Sequence, residues 1–455
     1  MPSLQDTSFL HPEYPIASLI LCSTPIRGHI TPMLAVASGL IRRGHNVRFL
    51  TGNQYREQVL ATGAVFAPLP EESDYDDTQL DAAFPGRVGL KGPAGIRYDI
   101  QEIFVRPGRF QFAALLALLA AEPADAVLAE SSFMGAALLL ATPRDTRPAV
   151  INCGIAPLGL ASRDTAPFGL GIKPMPGAFG RLRNRLLTTV ANRIIFAPLH
   201  KYADAMAHEL LGAPFPGLLM DWPRRADHLV QFTVPEFEYP RSDLPGTVRF
   251  VGPVSQSAQA APPAGGAGGT GGLPEWWDEL DTGRPVVHVT QGTVANQDFG
   301  DLIRPTIEAL APEDVLVVVG TGGRPTGELT GPLPANVRVA ANLPYDALLP
   351  KVDVIVTNGG YGGVQFALRH GVPLVVAGET EDKTEVSARV QWSGTGINLR
   401  SNRPSRDAIG KAVRTVLTTP GYKRASERIA ASITASRGVD ALADLVESLD
   451  RPALR

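Results

Sequence analysis

Twice along this chain, short apolar runs alternate with helix-length segments, and that alternation restricts the fold more than any other feature. In the first half, SLILCST and NVRFLTG read as strands flanking a helix from about Thr31 to Arg43, closed by Gly44. NQYREQVLATG reads as a second helix ending in glycine. After a long loop, IFVRPGRFQFAALLALLAAE is a helix, DAVLAES a strand, SFMGAALLLA a helix and PAVINCG a strand. The second half restarts the same order with VVHVTQGT, a helix around DLIRPTIEAL, VLVVVGTGG, VRVAANL, VDVIVTN, helix YGGVQFALRHG and strand VPLVVAG. Strands joined through helices run parallel, with helices on both faces of the sheet. The expected fold class is α/β: two doubly wound, Rossmann-like domains facing each other across a cleft.

The boundary follows from a break in composition. SQSAQAAPPAGGAGGTGG (Ser255–Gly272) has no apolar periodicity and reads as a flexible linker. This divides the 455 residues into a first domain over 1–254, a linker over 255–273 and a second domain over 274–455, with the last helix expected to pack back on the first domain. The chain is 44% hydrophobic and 19% charged with a formal net charge of −3, ordinary for a soluble enzyme and without a basic footprint for nucleic acid. Cys22 and Cys153 end apolar runs and read as buried free thiols, so nothing calls for an oxidising compartment. MPSLQDTSFLHPEYP lacks a basic n-region and an apolar h-region. The most lipophilic stretch, Ala113–Ala121, is far short of the ~20 residues of a membrane span. The expectation is a cytoplasmic protein with no integral membrane segment. The acidic stretch Pro68–Gly95 reads as a solvated surface loop, and the Gly- and Pro-rich stretch Gly154–Gly180 as loops shaping a ligand cleft.

Chemistry gathers at the strand ends. In STPIRGHITPML, His29 stands where the first strand turns into its helix, a rigid corner that ligands can reach. In VDVIVTNGGYGGVQF, a buried strand ends at Asn358 and Gly359, Gly360, Gly362 and Gly363 follow before a helix. Glycines let the backbone approach an anion, and the helix N-terminus offers free N–H groups and a positive dipole end. That arrangement suits a diphosphate seat, with tight packing as the alternative, and neither the dinucleotide fingerprint nor the phosphate-loop lysine pattern occurs. Gln291, Gly292 and Thr293 form a second strand-end turn, where Thr293 can add a hydroxyl to the same phosphate; an ordinary turn is the alternative. Glu381, Asp382 and Lys383 follow the strand VPLVV and suit either several sugar hydroxyls or a helix N-terminus carrying acids on its dipole. No His/Cys cluster has metal-ligand spacing.

The order GHITP, then QGT after a linker, then NGGYGG…HGVPL…ETEDK…GTGINL, resembles the family 1 nucleotide-sugar glycosyltransferases, in particular the bacterial natural-product and macrolide type. The likeness runs from the first strand to about Leu417. It implies the GT-B fold, acceptor bound mainly by the first domain and nucleotide sugar by the second, inversion at the anomeric carbon, and neither metal nor cofactor beyond the sugar co-substrate. By this resemblance His29 is the catalytic base. Glu130 takes the place of the family's partner aspartate and orients the imidazole. Asn358 stands in place of a diphosphate-touching histidine, and Asn342 where many members stack a tryptophan on the base. Asp382 matches the sugar-binding acid, and Lys383 replaces its usual glutamine neighbour. Phe366 falls where a glutamate grips the ribose hydroxyls, with Gln365 one residue earlier, which makes a dTDP-sugar at least as suitable as a UDP-sugar. The expected partners are a nucleotide sugar and a small lipophilic acceptor. The GT-B architecture also serves sugar-nucleotide epimerases, and a non-catalytic helper is a third reading.

Overall fold

A computed structural model describes residues 16–90, 92–254, 273–293 and 296–449. The N-terminal fifteen residues, on which the reading of no leader rests, lie outside the described residues, as does the linker over 255–272.

The chain forms two wholly parallel sheets. The first contains β1 (Ser18–Cys22), β2 (Asn46–Thr51), β3 (Val65–Pro68), β4 (Ala126–Glu130), β5 (Ala149–Gly154), β6 (His228–Gln231) and β7 (Val248–Phe250), in the order β3-β2-β1-β4-β5-β6-β7. The second contains β8 (Val286–Thr290), β9 (Leu316–Gly320), β10 (Val337–Ala340), β11 (Val354–Thr357), β12 (Leu374–Val376) and β13 (Gly396–Asn398), in the order β10-β9-β8-β11-β12-β13. Alternate residues of one strand feed separate cores: Leu19 and Leu21 pack on one face of the first sheet, Ile20 and Cys22 on the other. Because both faces are covered, the central strands are largely apolar, as in LVVVG of β9 and VIVT of β11. Both cysteines are free and buried.

Strand order reverses between β1 and β4 in the first sheet, and between β8 and β11 in the second. Helices on either side of such a point diverge and leave a crevice beyond the strand ends. Cys22 pairs in register with Ala129, and Thr290 with Thr357. His29 and Glu130 therefore follow one reversal point, and Gln291 and Asn358 the other.

Three local expectations are corrected. The first helix spans Arg27–Arg42, four residues longer at its start than the apolar pattern indicates, so His29 lies in its first turn. Its N-cap, Ile26, has no capping side chain; Asp77 supplies one from a distance, accepting from the Arg27 N–H at 2.7 Å. The acidic stretch is accordingly not a plain loop: it folds into short helical turns, and Asp74, Asp76 and Asp77 hold backbone N–H groups. Finally, Ala113–Ala121 ends a helical run of 28 residues, Ala94–Ala121, which by length and composition is apolar enough to cross a membrane. Only 39% of its most apolar window is buried; Phe112 and Leu115 lie in the core against the Met134–Leu139 helix.

The last helix, Val439–Glu447, returns to the first sheet. Leu442, Leu445 and Val446 join the core of Leu19 and Leu21, and Glu447 accepts from the Arg43 guanidinium at 2.8 Å.

Candidate active site

His29 is placed by the Arg27–Arg42 helix and Glu130 by the end of β4. The imidazole Nδ1 lies 3.1 Å from Glu130 Oε2, with the His29 side chain 26% exposed and that of Glu130 1%. Glu130 is fixed by its own partners: Oε1 accepts from the Thr24 N–H at 3.2 Å and hydroxyl at 2.8 Å, and Oε2 from the Ser132 N–H at 2.6 Å. Burial opposes the charge on Glu130, but His29 and these donors outweigh it and hold the carboxyl below its usual range. Burial would likewise lower the His29 pKa. The Glu130 carboxylate reverses that, aided by Asp382 and Glu381 of the second domain, and raises it above the ordinary value. Phe104 stacks on the imidazole at 6.0 Å. With Nδ1 committed to Glu130, Nε2 is the nitrogen left to take a proton. Asp125 accepts from the Ser18 N–H at the opposite end of β4, and so is no substitute for Glu130.

The second reversal point carries the glycine turn. Gly292 (φ +73°) and Gly359 (φ +83°) occupy the left-handed region, and a Cβ on Gly359 would stand 2.9 Å from Ser387 Oγ. Gly360 caps the Tyr361–Arg369 helix without a side chain, and Gly362 and Gly363 are exposed in its first turn. That turn presents backbone N–H groups without intrahelical partners. The Asn358 amide donates to the Gln291 carbonyl, tying the two strand-end turns together. Thr293 and Asn342 are exposed, and Asn342 stands beside Gly323 after β9.

Two candidates turn inward. The Gln291 side chain is buried, donating to the Asp298 carbonyl at 2.9 Å and accepting from the Ile303 N–H at 3.0 Å, which caps the following helix. Gln365 is buried on its helix, and neither atom of its amide has a hydrogen-bond partner among the described residues. An amide with Tyr361 at i−4 and Leu368 at i+3 has the periodicity of the buried stripe, and that was the missed signal. Phe366 is half-buried, meeting Tyr345 and His370 edge-on at 6.1 and 5.3 Å.

Around Asp382 the arrangement is tighter than its sequence indicates. Glu381 has φ +56° and pairs with the buried Lys383 ammonium. Asp382 is the N-cap of the Lys383–Ser393 helix, yet its side chain makes no capping bond. Burial pushes its carboxyl up, against the pull of Lys383 and with the help of Glu381. This helix is bolted to the first domain. Arg389 donates to Glu238 at 2.8 Å and to Glu385 at 2.7 Å, while Glu385 accepts the N–H groups of Gly169 and Gly171, both at 2.9 Å. Sequence reading missed Arg389, because an i,i+4 Glu–Arg pair resembles a solvated helix face. Of the supposed cleft loops, Leu158 and Leu160 pack into a small core with Leu229. An interdomain cavity of about 450 Å³ is lined by Leu170, Ile172, Lys173 and Arg183 from the first domain and by Glu379, Thr384 and Arg400 from the second. Among the described residues, no group of three His, Cys, Asp or Glu side chains is arranged to hold a metal ion.

Residues 26–152 match the glycosyltransferase family 28 N-terminal domain, and residues 305–448 match the erythromycin biosynthesis protein CIII-like C-terminal domain. Over 95% of its length the chain is 43% identical to 4'-demethylrebeccamycin synthase of Lentzea aerocolonigenes, covering 99% of that protein. It is 35% identical to UDP-glycosyltransferase 2 of Phaeomoniella chlamydospora, with 95% of each chain covered. Solved structures with the same fold include the calicheamicin glycosyltransferase CalG4, at a TM-score of 0.69 and 22% identity over 95% of this chain and 98% of that one. The chain belongs to the family 1 glycosyltransferases of the GT-B fold and is a glycosyltransferase.

Proposed function

We propose that the protein is an inverting, metal-independent glycosyltransferase that moves a hexose or deoxyhexose from a UDP- or dTDP-sugar to a hydroxyl of a small lipophilic acceptor. The observation that carries this reading is the buried Glu130 carboxylate 3.1 Å from His29 Nδ1, which leaves Nε2 as the proton acceptor. A helper protein has no use for such a pair. The names of the relatives, a demethylrebeccamycin synthase and UDP-glycosyltransferases, support a nucleotide-sugar donor and a natural-product acceptor.

In this mechanism His29 Nε2 takes the acceptor hydroxyl proton as the oxygen attacks the anomeric carbon from the face opposite the diphosphate. The bond from that carbon to the diphosphate oxygen breaks, and the electron pair leaves with the diphosphate. The imidazolium is stabilised by Glu130. The departing charge meets the N–H groups at the start of the Tyr361–Arg369 helix, so the chain supplies electrostatic stabilisation without a cation. Gly292, Thr293, Gly359, Gly360, Gly362 and Gly363 form the donor seat, with Asn358 bracing its two turns. Asn342 stands toward the base, and Asp382 and Glu381 toward the sugar hydroxyls.

His29→Ala tests the reading. Loss of a general base costs ~10²–10⁴ in rate, and nucleotide affinity should be unchanged. A variant retaining more than about a tenth of wild-type turnover would remove His29 from the mechanism. Nucleoside diphosphate released only when acceptor is present excludes an epimerase, the product's anomeric configuration tests inversion, and undiminished turnover in EDTA tests metal independence.

A further inference from the structure

The helix Gly177–Val190 carries an outward apolar stripe that nothing in the reaction uses. Its inner face is set by Gly180 and Asn184, both buried, with the Asn184 amide donating to the Arg163 carbonyl. On the outer face Phe179, Leu182, Leu186 and Val190 follow one another at spacings of three, four and four, and Ile194 continues the row in the π-helical turn beyond. These residues are open to solvent, with Phe179 83% exposed, Leu186 60% and Ile194 68%. Single exposed leucines are ordinary on a soluble protein, but a contiguous row along one helix is the pattern of a docking face.

The charge around the row identifies what docks. Between Asp164 and Asp204 the sequence has no acidic residue and six cations; Lys173 and Arg183 line the interdomain cavity and Arg181 pairs with Asp164 at 3.0 Å, while Arg185, Arg193 and Lys201 take part in neither. The whole chain carries a net charge of −3, so positive charge is concentrated on this segment. Arg185 and Arg193 are exposed within the same helical run as the apolar row. A second copy of this chain pairing through the same row would set arginines against arginines. An apolar row edged by arginines, whose stems lie along the apolar surface while their heads reach outward, suits the boundary between acyl chains and anionic headgroups.

We propose that the Gly177–Val190 helix with its π-helical extension is an in-plane docking face for an anionic lipid surface, holding the enzyme where lipophilic acceptors concentrate. Binding is set by apolar area together with charge, so both must be present.

Co-sedimentation with large unilamellar vesicles tests this without reference to turnover, so its outcome is separate from that of the proposed reaction. The full chain should pellet with phosphatidylglycerol-containing vesicles at low salt and stay in solution with pure phosphatidylcholine or at high salt. Phe179→Ser with Leu186→Ser, and separately Arg185→Glu with Arg193→Glu, should each weaken binding by roughly tenfold or more. Melting temperature and turnover of a soluble acceptor should be unchanged, which shows that the variants fold. The proposal is overturned by equal binding to neutral and anionic vesicles, or by variants that bind as the wild type does. A concentration-dependent dimer abolished by the serine pair would assign the stripe to self-association instead. A raised KM for the soluble acceptor in that pair would assign it to the acceptor pocket.

Discussion

Arg389 of the second domain and Glu238 of the first meet at 2.8 Å with both side chains 1% exposed, so the two domains share a buried ion pair. Glu385, on the same helix as Arg389, adds a second carboxylate and reaches the loop at Gly169 and Gly171. That helix begins at the N-cap Asp382, whose charge acts on His29. The ion cluster thus anchors the helix whose N-cap charge acts on His29.

Replacing Arg389 by alanine leaves the buried Glu385 without its counter-ion and Glu238 with only the more distant Arg241, at 3.7 Å. Breaking such a pair costs ~3–5 kcal/mol. We expect a lower melting temperature, a larger radius of gyration by small-angle scattering, and a fall in kcat greater than the fall in nucleotide affinity. Arg389→Lys keeps the charge but not the two-pronged geometry and should be intermediate. An alanine variant as compact and as stable as the wild type would show that the interface does not depend on this pair.

The pH profile should report Glu130. Its carboxylate favours the imidazolium and holds the His29 pKa above 6.5, so turnover rises only as pH climbs through that raised value. In Glu130→Gln the charge is gone. The His29 pKa falls, the acidic limb of kcat moves to lower pH, and the plateau drops because the imidazolium loses its counter-charge. A limb and plateau identical to the wild type's would take Glu130 out of the relay.

Gly359→Ala should weaken nucleotide binding. A side chain at φ +83° costs ~1–2 kcal/mol, and its Cβ would stand 2.9 Å from Ser387 Oγ. Calorimetry with UDP and dTDP should show a loss of about tenfold, partly restored by Ser387→Ala, which removes the oxygen but not the backbone strain. Full restoration would attribute the loss to the contact alone.

In the proposed donor site, the choice between dTDP and UDP should turn on Phe366. Without a ribose-gripping carboxylate, the wild type should bind dTDP at least as well as UDP, and Phe366→Glu should shift the preference toward UDP. Because the ring also packs on Tyr345 and His370, the melting temperature must be followed alongside. A wild type preferring UDP by about tenfold would remove Phe366 as the determinant.

What the sequence made legible was whatever depends on neighbours along the chain. The strands β1, β4, β8 and β11 are largely apolar, with His288 inside β8, and the residues following them reach the crevice through topology alone. Short strands with polar residues or without a long apolar run escaped: β3, β6, β7 and β13 have three or four residues each, too few to show a period. Contacts between distant segments also escaped. Nothing near Arg27 announces that Asp77 caps its helix, and nothing near Arg389 announces Glu238. Gln291 turns inward because a polar side chain beside a glycine turn can satisfy the protein's interior as readily as a ligand, whereas the buried Gln365 amide finds no partner among the described residues.

The return of the chain's last helix to the first sheet bears on how such enzymes can be recombined. A hybrid cut at the Ala/Gly/Pro-rich stretch would take the first sheet from one parent and Val439–Glu447 from the other. Leu442, Leu445 and Val446 would then fill a cavity shaped for different side chains, and Arg43 would face whatever residue replaces Glu447. The unit of exchange is therefore not a contiguous half of the sequence. A functional hybrid carries the final helix with the parent of its first sheet, using a second crossover between the helix Pro420–Ala435 and Val439.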